Sequence, residues 1–164
     1  MEAKELIDDI LSDIRVELLD EFDKNFERKG FFGNRWPPRK FQNNRGTLLM
    51  QSGKLRRSIQ ATVGSTSVTF TSSEPYAAIH NEGGKIKVTE KMRKYFWAKY
   101  AETKDEQWKW LALKKVGSTL TIPERRFIGD APEVKKIVED IIAENVELSC
   151  FGCKYKQISK AIHN

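Results

Sequence analysis

The sequence predicts an α+β domain: a small antiparallel sheet of about four strands packed against long N- and C-terminal helices, with a helical insertion between the last two strands. Apolar residues recur at steps of three and four near both ends of the chain. Two alternating, β-branched runs flank a Gly-Ser-Thr turn in the middle. A lysine- and tryptophan-rich stretch of helical periodicity separates two further strand-like runs.

The first helix is read from Leu6 to Phe26, where Leu6, Ile7, Ile10, Leu11, Ile14, Leu18, Phe22 and Phe26 form one stripe beneath an acidic face. Its end is expected near Lys29-Gly30, because glycine readily takes the left-handed conformation that closes a helix. "FFGNRWPPRKFQNNRG" then reads as an irregular, basic, aromatic loop. Pro37 and Pro38 forbid helix, while Gly33, Asn34, Asn43, Asn44 and Gly46 favour turns. Among the aromatics Phe31, Phe32, Trp36 and Phe41, Trp36 is the one expected to pin the loop to the core.

"TLLMQSGKLRRSI" reads as a short helix or turn, with a strand entered near Ser58. "SIQATVG" and "SVTFTSS" alternate about Gly64-Ser65-Thr66 as a hairpin. Tyr76 to Ile79 is expected as a third strand, and "TLTIPE", stopped by Pro123, as a fourth. Between those two, Thr89 caps a helix over about Glu90 to Glu102, and a second helix covers about Asp105 to Lys115. Val134, Ile137, Val138, Ile141, Ile142 and Leu148 then mark the last helix, with Pro132 suited to its first turn. The expected organisation is one domain over 1–148, with 85–118 as the insertion and 149–164 as a basic tail.

Composition sets the bounds. A chain of 164 residues is normally one domain, and 39% apolar with 32% charged residues describes a modest core under a heavily charged surface. Apolar runs such as Ala77-Ala78-Ile79 are too short to cross a bilayer, so no membrane partner is expected. The acidic, helical start "MEAKELIDDI" is unlike a signal or transit peptide, which points to a cytoplasmic setting. The net charge of +6 is uneven: −5 over 1–30, +7 over 31–58, −2 over 59–84, +6 over 85–118 and zero over 119–164. One acidic helix and two basic segments share the domain.

The residues that could carry chemistry are few. Structural zinc takes four ligands, and Cys150 and Cys153 have only His80 and His163 as histidine company. A redox dithiol usually opens a helix after a strand, whereas "CFGC" follows a helix, so both thiols read as reduced and incidental. In "PYAAIHNEGG", Glu82 lies near His80, but no G-x-S-x-G accompanies them, and Ser52-Gly53 lacks the glycine before the serine. Gly83-Gly84 is not followed at once by a helix, and no G-x-x-x-x-G-K-[ST] occurs. Asp8-Asp9 reads as part of a solvated helix face. No catalytic, cofactor-binding or metal residue is therefore expected, and no cofactor; a hydrolase built on His80 is a distant alternative.

Nucleic acid is the closer rival. "KMRKYFWAKY" and "WKWLALKK" interleave cations and rings, so Lys91, Arg93, Lys94 and Lys99 could neutralise phosphates while aromatics stack on bases. The helical spacing of Met92, Tyr95 or Phe96, and Tyr100 also fits a small core of the insertion's own, with the lysines on its wet side.

Three stretches then line up: "LLMQSGKLRRSI", "YAAIHNEGG" and "IPERRFIG". Together they resemble the virion morphogenesis family of tailed bacteriophages, the Mu-like group related to P2-type tail-completion proteins. The matching positions are Leu49, Ser52, Gly53, Leu55, Ser58 and Ile59; then Tyr76, Ala77, His80 and Gly83; then Ile122, Pro123, Arg125 and Phe127. The resemblance covers roughly residues 30–145, and leaves the insertion and the cysteine-bearing tail outside its pattern. It implies a non-enzymatic assembly factor of a phage or prophage, acting in tail completion or head-tail joining. A ring-forming homo-oligomer at the neck is implied with it, partnered by phage tail and neck proteins, in the host cytoplasm during assembly and in the virion.

Tyr76, His80, Glu82 and Gly83 are accordingly expected at a presented turn. Arg125, Arg126 and Phe127 are expected to leave the sheet exposed, and Trp97 or Trp108 to carry affinity. The acidic face of the first helix in one subunit would meet the basic 31–58 loop or the 85–118 insertion of the next. The alternative is a DNA-binding protein using those same two basic segments.

Overall fold

Leu11, Ile14, Leu18, Phe22 and Phe26 are buried along one side of α1 (Ala3–Arg28), as their spacing requires, and Asn25 is buried with them. The computed structural model describes residues 3–39 and 46–162, with side chains as far as Ser149. Phe41, Asn43, Asn44, His163 and the side chains of Cys150 and Cys153 lie outside the described residues.

Helix α1 closes on Lys29, which takes the left-handed conformation at φ 55°, and Gly30 opens the next element. The glycine answers a need for space: a Cβ there would stand 2.6 Å from the Asn34 carbonyl oxygen. That oxygen belongs to the partner strand of a two-residue ladder, β1 (Gly30–Phe31) against β2 (Asn34–Arg35). Next come α2 (Lys54–Arg57) and the expected hairpin of β3 (Ile59–Val63) and β4 (Val68–Ser72), with Ile59 opposite Ser72 and Val63 opposite Val68.

The third expected strand is a helix. Tyr76 to Ile79 enters α3 (Ala77–Asn81), where adjacent alanines favour helix and Ile79 packs under Gly84. With that link helical, the strands fall into three two-stranded antiparallel sheets in place of one of four. The α+β class stands. The remaining elements are β5 (Gly84–Lys87), α4 (Glu90–Thr103), α5 (Glu106–Ala112), β6 (Thr119–Ile122) and α6 (Pro132–Ile162). Helix α6 starts on Pro132 and continues past residue 148 without a break.

Two apolar clusters hold the body together. One joins Ile14, Leu18, Phe22 and Phe31 to Val68 and Phe70 of β4 and to Val134, Ile137, Val138 and Ile141 of α6. Phe22 meets Phe70 edge-on at 5.1 Å, the arrangement the ring quadrupoles favour. The other cluster joins Phe26, Trp36, Leu55, Ala77 and Phe127, and Ile128 packs against both.

The insertion is an arm. β5 pairs with β6, from Gly84 opposite Ile122 to Lys87 opposite Thr119, and makes the stalk. At its far end α4 and α5 pack on each other around Phe96, Trp108 and Ala112. Thr89 and Asp105 cap the two helices, accepting from the Met92 and Gln107 amides at 3.2 and 2.9 Å.

Candidate assembly surface

The three quoted stretches are far apart in the chain and meet at one core. Leu55, Ala77 and Phe127, one from each stretch, are all in the cluster with Phe26 and Trp36. Phe127 is 0% exposed and its ring lies 5.3 Å from that of Phe26. The expectation that Arg125 and Phe127 leave the sheet exposed is thus corrected. Past Pro123 the chain turns back into the body, where residues of α1, of α3 and of the loop after β2 bond its backbone.

Those bonds are specific. Asn81, the last residue of α3, accepts the Phe127 and Ile128 amides on its side-chain oxygen at 2.9 and 3.2 Å. Asn25, buried on α1, donates to the Phe127 carbonyl at 3.2 Å and accepts the Phe32 amide at 3.0 Å. Trp36 donates its indole N–H to the Arg126 carbonyl at 2.6 Å, so it does pin its loop. Arg125 donates its amide to the His80 carbonyl at 2.8 Å. Its guanidinium donates to the Pro37 and Pro38 carbonyls at 3.0 and 3.2 Å. Prolines bring acceptors without donors, and a buried guanidinium brings donors without acceptors, so the two satisfy one another.

His80 sits on the inner side of this knot. Tyr76 packs edge-on against it at 5.9 Å, and its Nδ1 is buried without a hydrogen-bond partner. Burial, and then the Arg125 charge, hold its pKa below the ordinary 6.5. Gly83 takes φ 71°, and a Cβ there would come within 2.7 Å of the Glu124 amide nitrogen. The turn therefore needs glycine on two grounds. His80 lines neither the cavity of about 450 Å³ between Phe31, Trp36 and Arg126 nor the groove of about 620 Å³ between α1, β4 and α6.

Other expected site residues are at the surface. Tyr76, Glu82 and Arg126 are exposed, with Arg126 near Glu124 at 3.5 Å and over the Phe31 ring. On the arm, Trp97 is 41% exposed, whereas Trp108 is half-buried, stacked on Phe96 at 6.0 Å and edge-on to Tyr95. Lys91 and Lys94 are exposed; Arg93 turns inward to the Ala112 carbonyl at 3.4 Å, and Lys99 pairs with Glu102 at 2.7 Å. The knot and the arm are separate places, joined by the β5–β6 stalk. Among the described residues Glu17, Asp20 and Glu21 bring carboxylates within reach of one cation, but Lys24 already pairs with Asp20 and Glu21 at 2.5 and 2.9 Å.

Sequence reasoning passed over Asn25 and Asn81. Asn25 left a signal, since it stands three residues after Phe22 and seven after Leu18, on the apolar stripe where a polar residue is out of place. Asn81 left none beyond its place before a glycine turn.

A scaffold of this kind, an α+β body with a projecting arm and motifs given over to internal bracing, is the class that the fold defines. The sequence profile of the phage virion morphogenesis family matches residues 4–147, and the chain belongs to that family. Its role is in phage virion assembly. No curated protein and no solved structure matches the chain. No described helix is long and apolar enough to cross a membrane.

Proposed function

We propose that this chain is a structural subunit that completes the tail of a phage or prophage particle and joins it to the head, as one member of a ring at the neck. The family match across residues 4–147 carries the assembly role. The ring is supported by the chain's complementary surfaces: an acidic helix at one place and a basic arm at another suit head-to-tail contact, which closes when the rotation per subunit allows. Its partners are then tail and neck proteins, met in the host cytoplasm while particles form. The three motifs serve this by fixing the base of the arm.

Electron microscopy of particles made by a phage lacking the chain tests the reading. Filled heads and separate tails are the expected products. Joined, infectious particles in its absence would refute it. A His80→Ala chain that still supports infectious particles would dispose of the hydrolase alternative.

A further inference from the structure

In each basic segment some of the charge is engaged within the chain. From the 31–58 segment, Arg56 pairs with Asp23 and, at 2.8 Å, with Glu27 of its own α1. On α4, Arg93 and Lys99 are likewise taken up inside the arm. Lys91 and Lys94 are exposed and have no ion pair among the described residues. Trp97 lies three residues beyond Lys94, so the three side chains share one side of the helix.

Helix α1 has the complementary division. From Asp20 onward its acids are matched: Asp20 and Glu21 by Lys24, Glu21 also by Arg28, and Asp23 and Glu27 by Arg56. Before Asp20, Asp8, Asp9 and Glu17 are exposed without an ion pair among the described residues, and Asp13 meets only the Asn145 amide at 2.9 Å. Steps of four and three put Asp9, Asp13 and Val16 on one outward side, and Val16 is 56% exposed.

We infer that α4 of one copy seats on the part of α1 before Asp20 in the next, with Lys91 and Lys94 against Asp9, Asp13 and Glu17, and Trp97 against Val16. The spans agree: six residues from Lys91 to Trp97 rise about 9 Å, and seven from Asp9 to Val16 about 10 Å. An apolar centre within a charged rim is the usual anatomy of such a contact. The contact is heterologous, since each copy offers one surface and receives the other. It takes the arm as the basic partner, because Lys91, Lys94 and Trp97 share one side of one helix there, and it rests on the reading of the chain as a ring subunit.

Analytical ultracentrifugation of the full chain tests this with charge swaps at exposed positions. The native chain should self-associate, less strongly as salt rises. Lys91→Glu with Lys94→Glu, and separately Asp9→Lys with Glu17→Lys, should each weaken association by roughly tenfold or more. An equal mixture of the two variants should recover it, because the reversed arm meets the reversed helix; one chain carrying all four changes should recover it too. A native chain that stays monomeric, either reversal without effect, or failure of both recoveries overturns the contact. So does loss of duplex DNA binding in the arm variant with self-association intact, which would assign the lysines to nucleic acid. Failure of the swaps while deletion still leaves heads and tails apart removes the contact and keeps the assembly role. Working swaps in a chain whose deletion leaves particles joined do the reverse.

Discussion

The side-chain oxygen of Asn81 accepts the backbone N–H of Phe127 at 2.9 Å, tying the end of the short helix α3 to the segment that returns from the arm. The same oxygen holds the Ile128 amide at 3.2 Å, so one residue bridges both ends of the excursion. Asn81→Ala strands two partly buried donors and should cost about 2 kcal/mol. Asn81→Asp keeps the acceptor and should recover part of that loss; urea denaturation of both variants gives the comparison.

Phe127→Ala should lower stability by about 3–5 kcal/mol, the usual result of emptying a buried aromatic site. Trp97→Ala, on the exposed side of α4, loses only an edge-on contact with Tyr100 at 6.1 Å and should cost about 1 kcal/mol while weakening self-association. Thermal unfolding separates the two residues: a core role moves Tm much further than a contact role does.

Gly83→Ala meets both a left-handed φ of 71° and the Glu124 backbone at 2.7 Å. The left-handed conformation alone costs an alanine about 1–2 kcal/mol, and the clash adds to it. Gly33 has nothing within 4 Å of the place a Cβ would take. Gly33→Ala should therefore stay within about 0.5 kcal/mol of the native chain, as an internal control.

The His80 imidazole is held below its ordinary pKa of 6.5 by burial and then by Arg125. The unfolded chain therefore binds the proton more readily than the folded one. This contribution to stability is fully present above pH 6.5 and is lost progressively as the pH falls below that value. His80→Phe fills similar space without a titrating group or a buried, unpartnered Nδ1. Its urea midpoint should fall less between pH 7 and pH 5 than that of the native chain; an equal fall in both would show that His80 is not the group responsible.

Much of the scaffold was legible from spacing alone. The apolar stripes of α1 and α6, the hairpin about Gly64, the two helices of the arm and the Thr89 cap depend on local periodicity and turn chemistry, which a sequence carries openly. What spacing could not give was the destination of the segment after Pro123. Its burial depends on Asn25, Asn81 and Trp36, which reach it across 46 to 102 residues of chain. Tyr76 to Ile79 failed as a strand because four residues are too few to show a period. For the site, the residue types of the arm were visible, but the separation of Lys91 and Lys94 from Arg93, which reaches the Ala112 carbonyl, required the packing of α4 on α5.

Carbodiimide cross-linking of a mixture of isotopically light and heavy chain, read by mass spectrometry, tests most directly whether assembly runs through the arm. It joins a lysine to a carboxylate only where the two are in contact. Mixed-isotope links from Lys91 or Lys94 to Asp9, Asp13 or Glu17 are the expected product. Mixed-isotope links that leave those lysines out and fall at Glu82 or Glu124 would place the contact at the motif knot and contradict it.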